Sequence, residues 1–250
     1  MSRAGVLFLH HFGGSARTSD AVVAQLDGVE TSAIDLPGFG AAAAADGPYD
    51  VIRYADVAEA AFDAMAAERI VVVGHSMGGK VALALAARRP RRLASLLLLS
   101  PSPPTPEPMS DADRATALAG WGDLDHAEAT LARITARPLG PHARDLALDD
   151  MLRAAAGAWR AWLETGSRED IAAALARIVV PTMILCGSDD SVLPVAVHRR
   201  ETMSRLPDAA LRIVAGAGHL LPVEAPDMVA EAIMAQTAAF PAIVPSSAAS

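Results

Sequence analysis

Short apolar runs alternate with longer stretches of helical periodicity along most of this chain. Six runs, most of them bounded by Gly, Pro, Asp or Ser, lie at residues 6–9, 30–34, 70–73, 95–99, 182–186 and 211–214. Runs of this kind are typical of strands that are buried on both faces of a parallel sheet. Three other stretches carry helix signals, at residues 56–67, 79–89 and 227–239. The alternation predicts an open α/β sheet whose strands are joined by right-handed crossovers.

One long segment interrupts this alternation between the fourth and fifth predicted strands. Its proline-rich start, residues 101–108, can be neither a regular helix nor a central strand. Helical stretches are predicted after it at residues 111–119, 126–136, 143–163 and 168–178. A structureless loop of this length is uncommon inside a domain, so residues 101–179 are predicted to form a helical lid (cap) insertion. The α/β core would then comprise residues 1–100 and 180–240, and residues 241–250 a flexible tail.

Composition and charge exclude several classes of protein. The chain has 250 residues, of which 52% are hydrophobic, and a net charge of −8, which argues against a nucleic-acid-binding surface. No apolar run is long enough to span a membrane or to form the core of a signal peptide. The single cysteine, Cys186, excludes an intramolecular disulfide. We expect a cytoplasmic protein that acts on a small molecule, with no nucleic acid or membrane as partner; a homo-oligomer stays possible.

The sharpest local signal is a Gly-x-Ser-x-Gly sequence at residues 74–78. It directly follows the predicted strand 70–73 and directly precedes a predicted helix. A nucleophilic serine needs such a tight strand-to-helix turn, which exposes its hydroxyl above the sheet, and the glycines leave room for the crossing backbone. A phosphate-binding loop would need Ser or Thr after its lysine, but Lys80 is followed by Val81. The sequence therefore predicts Ser76 as a covalent nucleophile.

A serine nucleophile needs a base, and the base needs a group that orients it. His219 follows the predicted strand 211–214 in a glycine-rich turn, which would place it at the carboxyl edge of the sheet near Ser76. The strand 182–186 also ends in a loop, which contains Asp189 and Asp190. Either aspartate could orient the imidazole of His219, and either could simply stabilise a turn.

Attack on a carbonyl produces an oxyanion that needs two N–H donors. The backbone N–H of Met77, which follows the nucleophile, is one candidate. Phe12, in the loop after the first strand, is the candidate for the second. His10 and His11 in the same loop could suggest a metal, but adjacent side chains on an extended backbone point apart. We therefore predict no metal ion and no cofactor.

Taken together, these segments resemble the α/β-hydrolase superfamily. The resemblance rests on residues 9–14, 35–40, 74–79, 187–194, 218–219 and 224–226. Within the superfamily it is to the branch of small lidded esterases, lactonases, carbon–carbon-bond hydrolases and cofactor-free haloperoxidases. It favours Asp190 over Asp189, because the family's acid stands three residues after the glycine at 187.

The resemblance also implies a fold, and this sequence departs from the usual pattern of the family at two points. It implies the α/β-hydrolase fold, a mostly parallel sheet with helices on both faces and a lid. The sheet is expected to have about six strands, because the two leading antiparallel strands of the family are expected to be missing. His11 stands where the family usually has glycine, so its side chain is expected to narrow the entrance and contact substrate.

Serine at position 76 implies hydrolysis of a carboxylic ester or lactone through an acyl-enzyme, since the dehalogenases and epoxide hydrolases of this fold have aspartate there. Amide or carbon–carbon hydrolysis, acyl transfer, and a non-catalytic ligand-binding role stay open as alternatives. The apolar lid indicates a small or medium hydrophobic acyl group. Its tryptophans, Trp121, Trp159 and Trp162, could either form the core of the lid or bind substrate.

Overall fold

Six parallel strands form a single sheet in the computed structural model, which describes residues 3–239. The strands are β1 (Ala4–Leu9), β2 (Glu30–Ile34), β3 (Arg69–His75), β4 (Leu93–Leu99), β5 (Thr182–Gly187) and β6 (Ala210–Val214). Their order across the sheet is β2-β1-β3-β4-β5-β6, and every neighbouring pair is parallel. The prediction of an α/β sheet of about six strands is confirmed. The predicted tail, residues 241–250, lies outside the described residues.

Helices connect the strands and fill the long segment between β4 and β5. They are α1 (Asp20–Val23), α2 (Val51–Ala64), α3 (Met77–Ala87), α4 (Asp111–Ala119), α5 (Leu124–Ile134), α6 (Pro141–Arg153), α7 (Ala156–Glu164), α8 (Val195–Val197), α9 (Leu221–Glu224) and α10 (Pro226–Ala238). Short 3-10 turns lie at Ala16–Ser19, Gly40–Ala42, Gly166–Arg168 and Ala172–Arg177, and a π-helical turn, His198–Met203, continues α8. Among the described residues, no helix is both long and apolar enough to cross a bilayer.

Apolar side chains cover both faces of the sheet. Leu7 packs with α2 and α3 on one face, while Val6 and Phe8 pack with α1, α9 and α10 on the other. Successive residues of a strand point to opposite faces, so two buried faces require the continuous apolar runs seen in the sequence. α3 is buried along its whole length because it lies between the sheet, α2 and the segment Ala172–Arg177.

The helix predicted at residues 56–67 corresponds to α2, and its predicted start at residue 56 is wrong. α2 begins at Val51, because the side chain of Asp50 accepts a hydrogen bond from the N–H of Arg53 at 2.7 Å and so caps the helix. A carboxylate oxygen of Glu169 accepts the N–H of Val51 at 3.1 Å. The second of these contacts comes from a distant segment of the chain, so it could not be read from the local pattern.

The predicted continuous helix 143–163 is also wrong, because the chain leaves the helical conformation at Ala154 and Ala155. The N–H of Ala155 donates to the carbonyl of Gly38 at 2.8 Å, and the indole of Trp121 donates to the carbonyl of Ala154 at 2.8 Å. These bonds satisfy backbone groups that the break exposes. The stretch predicted as helix at 168–178 contains the 3-10 turn Ala172–Arg177 instead, and it begins at the last residue of another, Gly166–Arg168.

The segment of residues 101–179, called the insertion below, is bonded to the core at several buried points. The ammonium of Lys80, on α3, donates to the carbonyls of Glu169 at 2.8 Å and Thr105 at 3.2 Å. Lys80 is fully buried, and burial lowers its pKa to about 8. On the other side, buried Asp150 of α6 accepts hydrogen bonds from Ser15 and Arg17, which follow β1.

The contact of α7 with the loop at Gly38 predicts a difference between two glycines that share a left-handed backbone. Gly38 has φ +88° and Gly28 has φ +74°, so alanine strains the backbone at either position by about 1–2 kcal/mol. A Cβ at Gly28 would meet nothing within 4 Å, whereas one at Gly38 would collide with the Cβ of Ala158. We expect Gly38→Ala to lower the free energy of unfolding by about 1–3 kcal/mol more than Gly28→Ala.

Urea unfolding of both variants measures this difference. In a double-mutant cycle, Ala158→Gly is expected to cost less in the Gly38→Ala background than in the wild type. Equal losses for the two glycine variants would show that α7 does not pack closely on this loop.

Candidate active site

Ser76 lies at the tight turn between β3 and α3 with φ 52° and ψ −114°. This is a conformation that non-glycine residues adopt rarely and only where the surroundings enforce it. A Cβ at Gly74 would collide with the carbonyl oxygen of Gly78, and one at Gly78 with the carbonyl oxygen of Leu9. The N–H of Ser76 donates to the carbonyl of Leu99 at 2.9 Å. The two glycines therefore let α3 begin directly against the ends of β1 and β3.

A buried chain of hydrogen bonds joins three of the side chains predicted for the site. The hydroxyl of Ser76 lies 2.9 Å from Nε2 of His219, and Nδ1 of His219 lies 2.8 Å from Oδ2 of Asp190. An ionised carboxylate only accepts, so Nδ1 carries the proton that is donated to Asp190. Nε2 of His219 is then the acceptor for the hydroxyl of Ser76, which is the arrangement that a general base requires.

The structure brings Asp190 to the imidazole and leaves Asp189 outside. The second oxygen of Asp190 accepts the N–H groups of Val192 and Leu193, each at 2.9 Å. Burial alone would raise the pKa of Asp190, but the charge and hydrogen bond of His219 and the N–H of Leu193 together lower the pKa to about 2. Asp189 is exposed and accepts the hydroxyl of Ser188 at 3.1 Å.

The loop after β1 contains a turn in which the N–H of Phe12 has no partner among the described residues. The N–H of Gly14 donates to the carbonyl of His11 at 3.0 Å, and Gly13 has φ +74° at the third position of this turn, where glycine is required. The N–H of Gly78 ties α3 to the same loop through the carbonyl of His10 at 3.1 Å. Within residues 3–239, neither the N–H of Phe12 nor that of Met77 donates to a protein group. Both are thus available to a ligand.

Two of the three tryptophans lie against Phe12. The ring centroid of Trp159 is 4.4 Å from that of Phe12, and that of Trp162 is 6.4 Å away. Both indoles are buried, and that of Trp159 donates to the carbonyl of Ala117 at 2.9 Å. Trp121 is 44% exposed, and the structure does not bring it to Phe12.

His11 and His75 form a pair of buried histidines. The ring centroid of His11 is 4.8 Å from that of His75, and its Nδ1 has no hydrogen-bond partner among the described residues. The Nε2–H of His75 donates to the carbonyl of His219 at 2.8 Å, so His75 supports the backbone of the predicted base. Nothing in the sequence around His75 indicates this partner, which lies 144 residues away.

Of two clefts in the described structure, one is lined by a predicted site residue and the other is not. One of about 90 Å³ is lined by His11, by apolar side chains such as Leu146 and Val223, and by polar ones such as Arg17, Asp20 and Asp150; Ser76, His219 and Phe12 do not line it. A larger one of about 520 Å³ lies at the amino-terminal ends of β5 and β6, and none of the predicted site residues lines it. Across residues 3–239, no group of three or more His, Cys, Asp or Glu side chains is placed to hold a metal ion.

Four buried histidines predict that acid destabilises the fold. Burial lowers the pKa of His10 and His11, that of His75 to about 3 and that of His198 to about 4. Each would bind a proton near pH 6.5 when unfolded, so the unfolded chain binds more protons below that pH. Their contribution to stability is complete above about pH 6.5. We expect it to fall by up to about 1.4 kcal/mol per pH unit for each histidine as pH drops toward the folded values.

Urea unfolding at pH 7 and pH 5 measures this loss. Neither ring nitrogen of His198 makes a well-formed hydrogen bond among the described groups, and only the backbone of Leu193 lies near enough to favour its protonation, so His198→Leu removes a titrating group and at most this one weak contact. We expect this variant to lose less stability between the two pH values than the wild type. His142→Gln, at an exposed position, is the control for loss of an imidazole as such. Identical pH dependence of the wild type and His198→Leu would contradict the assignment.

Comparison with known proteins gives consistent relatives. The model of the alpha/beta hydrolase family matches residues 6–232. A pimeloyl-[acyl-carrier protein] methyl ester esterase of Aromatoleum aromaticum is 31% identical over 237 residues, which cover 88% of this chain and 92% of the relative. A 2-(acetamidomethylene)succinate hydrolase of Mesorhizobium japonicum is 26% identical over 239 residues, with 91% and 86% covered.

Among solved structures, a thermophilic esterase from Thermogutta terrifontis with malate bound matches with a TM-score of 0.80 and 26% identity. The match covers 95% of this chain and 90% of the esterase. The family model spans nearly the whole described chain, and the relatives named as esterases and hydrolases are covered over most of their length. This chain is therefore an enzyme that belongs to the α/β hydrolase family.

Proposed function

We propose that this enzyme is a serine hydrolase that cleaves a small or medium hydrophobic carboxylic ester or lactone through an acyl-enzyme on Ser76. The observation that carries the proposal is the hydrogen-bond chain from Ser76 through His219 to Asp190, with bonds of 2.9 and 2.8 Å. The similarity to a methyl ester esterase and to a thermophilic esterase supports ester chemistry.

In the proposed reaction, His219 takes the proton of the Ser76 hydroxyl as the oxygen attacks the carbonyl carbon. The N–H groups of Met77 and Phe12 stabilise the resulting oxyanion. Asp190, ionised at neutral pH because its pKa is lowered to about 2, stabilises the imidazolium of His219. His219 then protonates the leaving alcohol and later activates the water that hydrolyses acyl-Ser76.

The surroundings of Phe12 favour an apolar acyl group. Trp159 and Trp162 lie against Phe12, so an acyl chain bound at this loop would contact aromatic carbon. His11 also lines the cleft of about 90 Å³, which neither Ser76 nor His219 lines. We assign substrate contact to His11, Trp159 and Trp162. Trp121 was also expected to contact substrate, but its ring is 44% exposed and is not among the rings that contact Phe12.

Other expectations from the sequence stay predictions. These are the cytoplasmic location, the small-molecule substrate, independence of a cofactor and the bounds of the lid at residues 101–179. Amide or carbon–carbon hydrolysis and acyl transfer would use the same three side chains. Product analysis on matched esters, lactones, amides and vinylogous diketones, with and without an added acyl acceptor, distinguishes them.

Reaction with a fluorophosphonate tests the nucleophile. Phosphonylation needs an activated serine and a site for the phosphonyl oxygen, both of which the proposal places at Ser76. We expect one label per wild-type chain, found at residue 76 by peptide mass spectrometry, and none on Ser76→Ala. An unlabelled wild-type enzyme, or a Ser76→Ala variant that labels as the wild type does, would refute the nucleophile.

The two neighbouring aspartates provide a matched pair for the acid. Asp190→Asn cannot hold the Nδ1–H tautomer of His219, so we expect kcat for a p-nitrophenyl ester to fall by about 10³–10⁴-fold. Asp189→Asn changes an exposed side chain and is expected to retain most of the activity. The reverse pattern would assign the role to Asp189.

A further inference from the structure

Glu224, at the end of α9, places its carboxylate where four backbone N–H groups converge. One oxygen accepts from Ala136 at 2.7 Å, Arg137 at 2.9 Å and Gly218 at 3.0 Å, and the other from Leu220 at 3.0 Å. The residue is buried. A carboxylate has about four sites for accepting hydrogen bonds, so the whole capacity of this side chain is used.

These four donors belong to two segments that are far apart in sequence. Gly218 and Leu220 are the immediate neighbours of His219, while Ala136 and Arg137 follow α5 in the insertion. The N–H of His219 itself donates to the carbonyl of Ile134, the last residue of α5, at 2.8 Å. Three successive N–H groups around the proposed base are thus bound either by Glu224 or by the end of α5.

The side chain of Arg137 adds hydrogen bonds between the end of α5 and the segment around His219. Its guanidinium donates to the carbonyls of Ala215 at 2.7 Å, Gly216 at 3.0 Å and Glu224 at 3.0 Å. The approach is so close that a Cβ at Gly218 would lie 2.7 Å from the nitrogen of Ala136. The loop that carries His219 and the end of α5 therefore form one hydrogen-bonded unit.

We infer that Glu224 is a positioning residue for His219, and that it fixes the base to the α5 end of the insertion. This end of the insertion is then a constant part of the active site, and any opening that admits substrate must occur elsewhere. The inference rests on the proposed function, because it takes His219 to be the base. A displacement of about 1 Å at a reacting group can reduce a rate by about 100-fold, so the backbone of His219 is a sensitive point.

Glu224→Gln tests the inference with little change in shape. The amide group would turn a donor toward N–H groups that are donors themselves, so at least one of the four bonds is lost and its N–H stays buried. We expect kcat for a p-nitrophenyl ester to fall by about 100-fold while KM changes by less than about threefold. The rate of fluorophosphonate labelling of Ser76 is expected to fall in parallel with kcat. All assays are made well below the melting temperature of each variant.

Two further variants complete the experiment. Glu231→Gln is the matched control, because Glu231 lies exposed on α10 in an ion pair of 3.1 Å with Arg212, and it is expected to leave kcat and labelling unchanged. Arg137→Met removes three hydrogen bonds to the same loop without altering the carboxylate of Glu224. We expect it to lower kcat by about 10-fold, with an effect that is not additive with Glu224→Gln, since both act through one loop.

The outcomes separate the inference from the proposed function. A Glu224→Gln enzyme with a lower melting temperature but wild-type kcat and labelling rate would show a merely structural role and overturn the inference. If Glu224→Gln does not fold, Arg137→Met decides, and a wild-type kcat in that variant overturns the inference. A wild-type enzyme that does not label at Ser76 would refute the proposed function, whatever the variants do.

Discussion

The contact of α3 with the carboxyl ends of β1 and β3 determines where the groups of the site lie. Two glycines, Gly74 and Gly78, face backbone oxygens at distances that exclude any side chain. The chain can therefore turn from strand into helix within one residue, and Ser76 takes the left-handed conformation that results. The same contact places the N–H of Met77 beside the loop of Phe12, because Gly78 is hydrogen-bonded to that loop at 3.1 Å. A polar site is thus built by close packing of backbone against backbone.

The other groups come to this point because all six strands are parallel and their carboxyl ends share an edge. The loops after β5 and β6 contain Asp190 and His219, and the insertion between β4 and β5 contacts loops at this edge through Ile134, Trp159 and Trp162. Buried polar contacts attach the insertion to the core at Lys80, Asp150 and Glu224. A buried polar group without a partner destabilises the fold, so each attachment resists separation of the insertion from the sheet.

The sequence was sufficient to predict a structural element wherever the residues of one short segment determine that element. The strands follow from apolar runs, and the turn at Ser76 follows from glycines two residues on either side. Asp190 and Asp189 could not be separated by chemistry alone, since they share a loop, and the family spacing was needed. The break between α6 and α7, the hydrogen bond of His75 and the bonds of Glu224 depend on segments more than 80 residues apart or on packing between elements. A pattern read along the chain contains no signal for them.

The tryptophans have a consequence for observing this enzyme in solution. All three lie in the insertion, and the core contains none. Trp159 and Trp162 are buried against Phe12, whereas Trp121 is half exposed on the outer side. The indole fluorescence of the protein therefore originates entirely in the insertion, and two of its three sources lie beside the loop of Phe12. Changes in that emission report on the insertion and not on the sheet. No dye has to be attached to the chain.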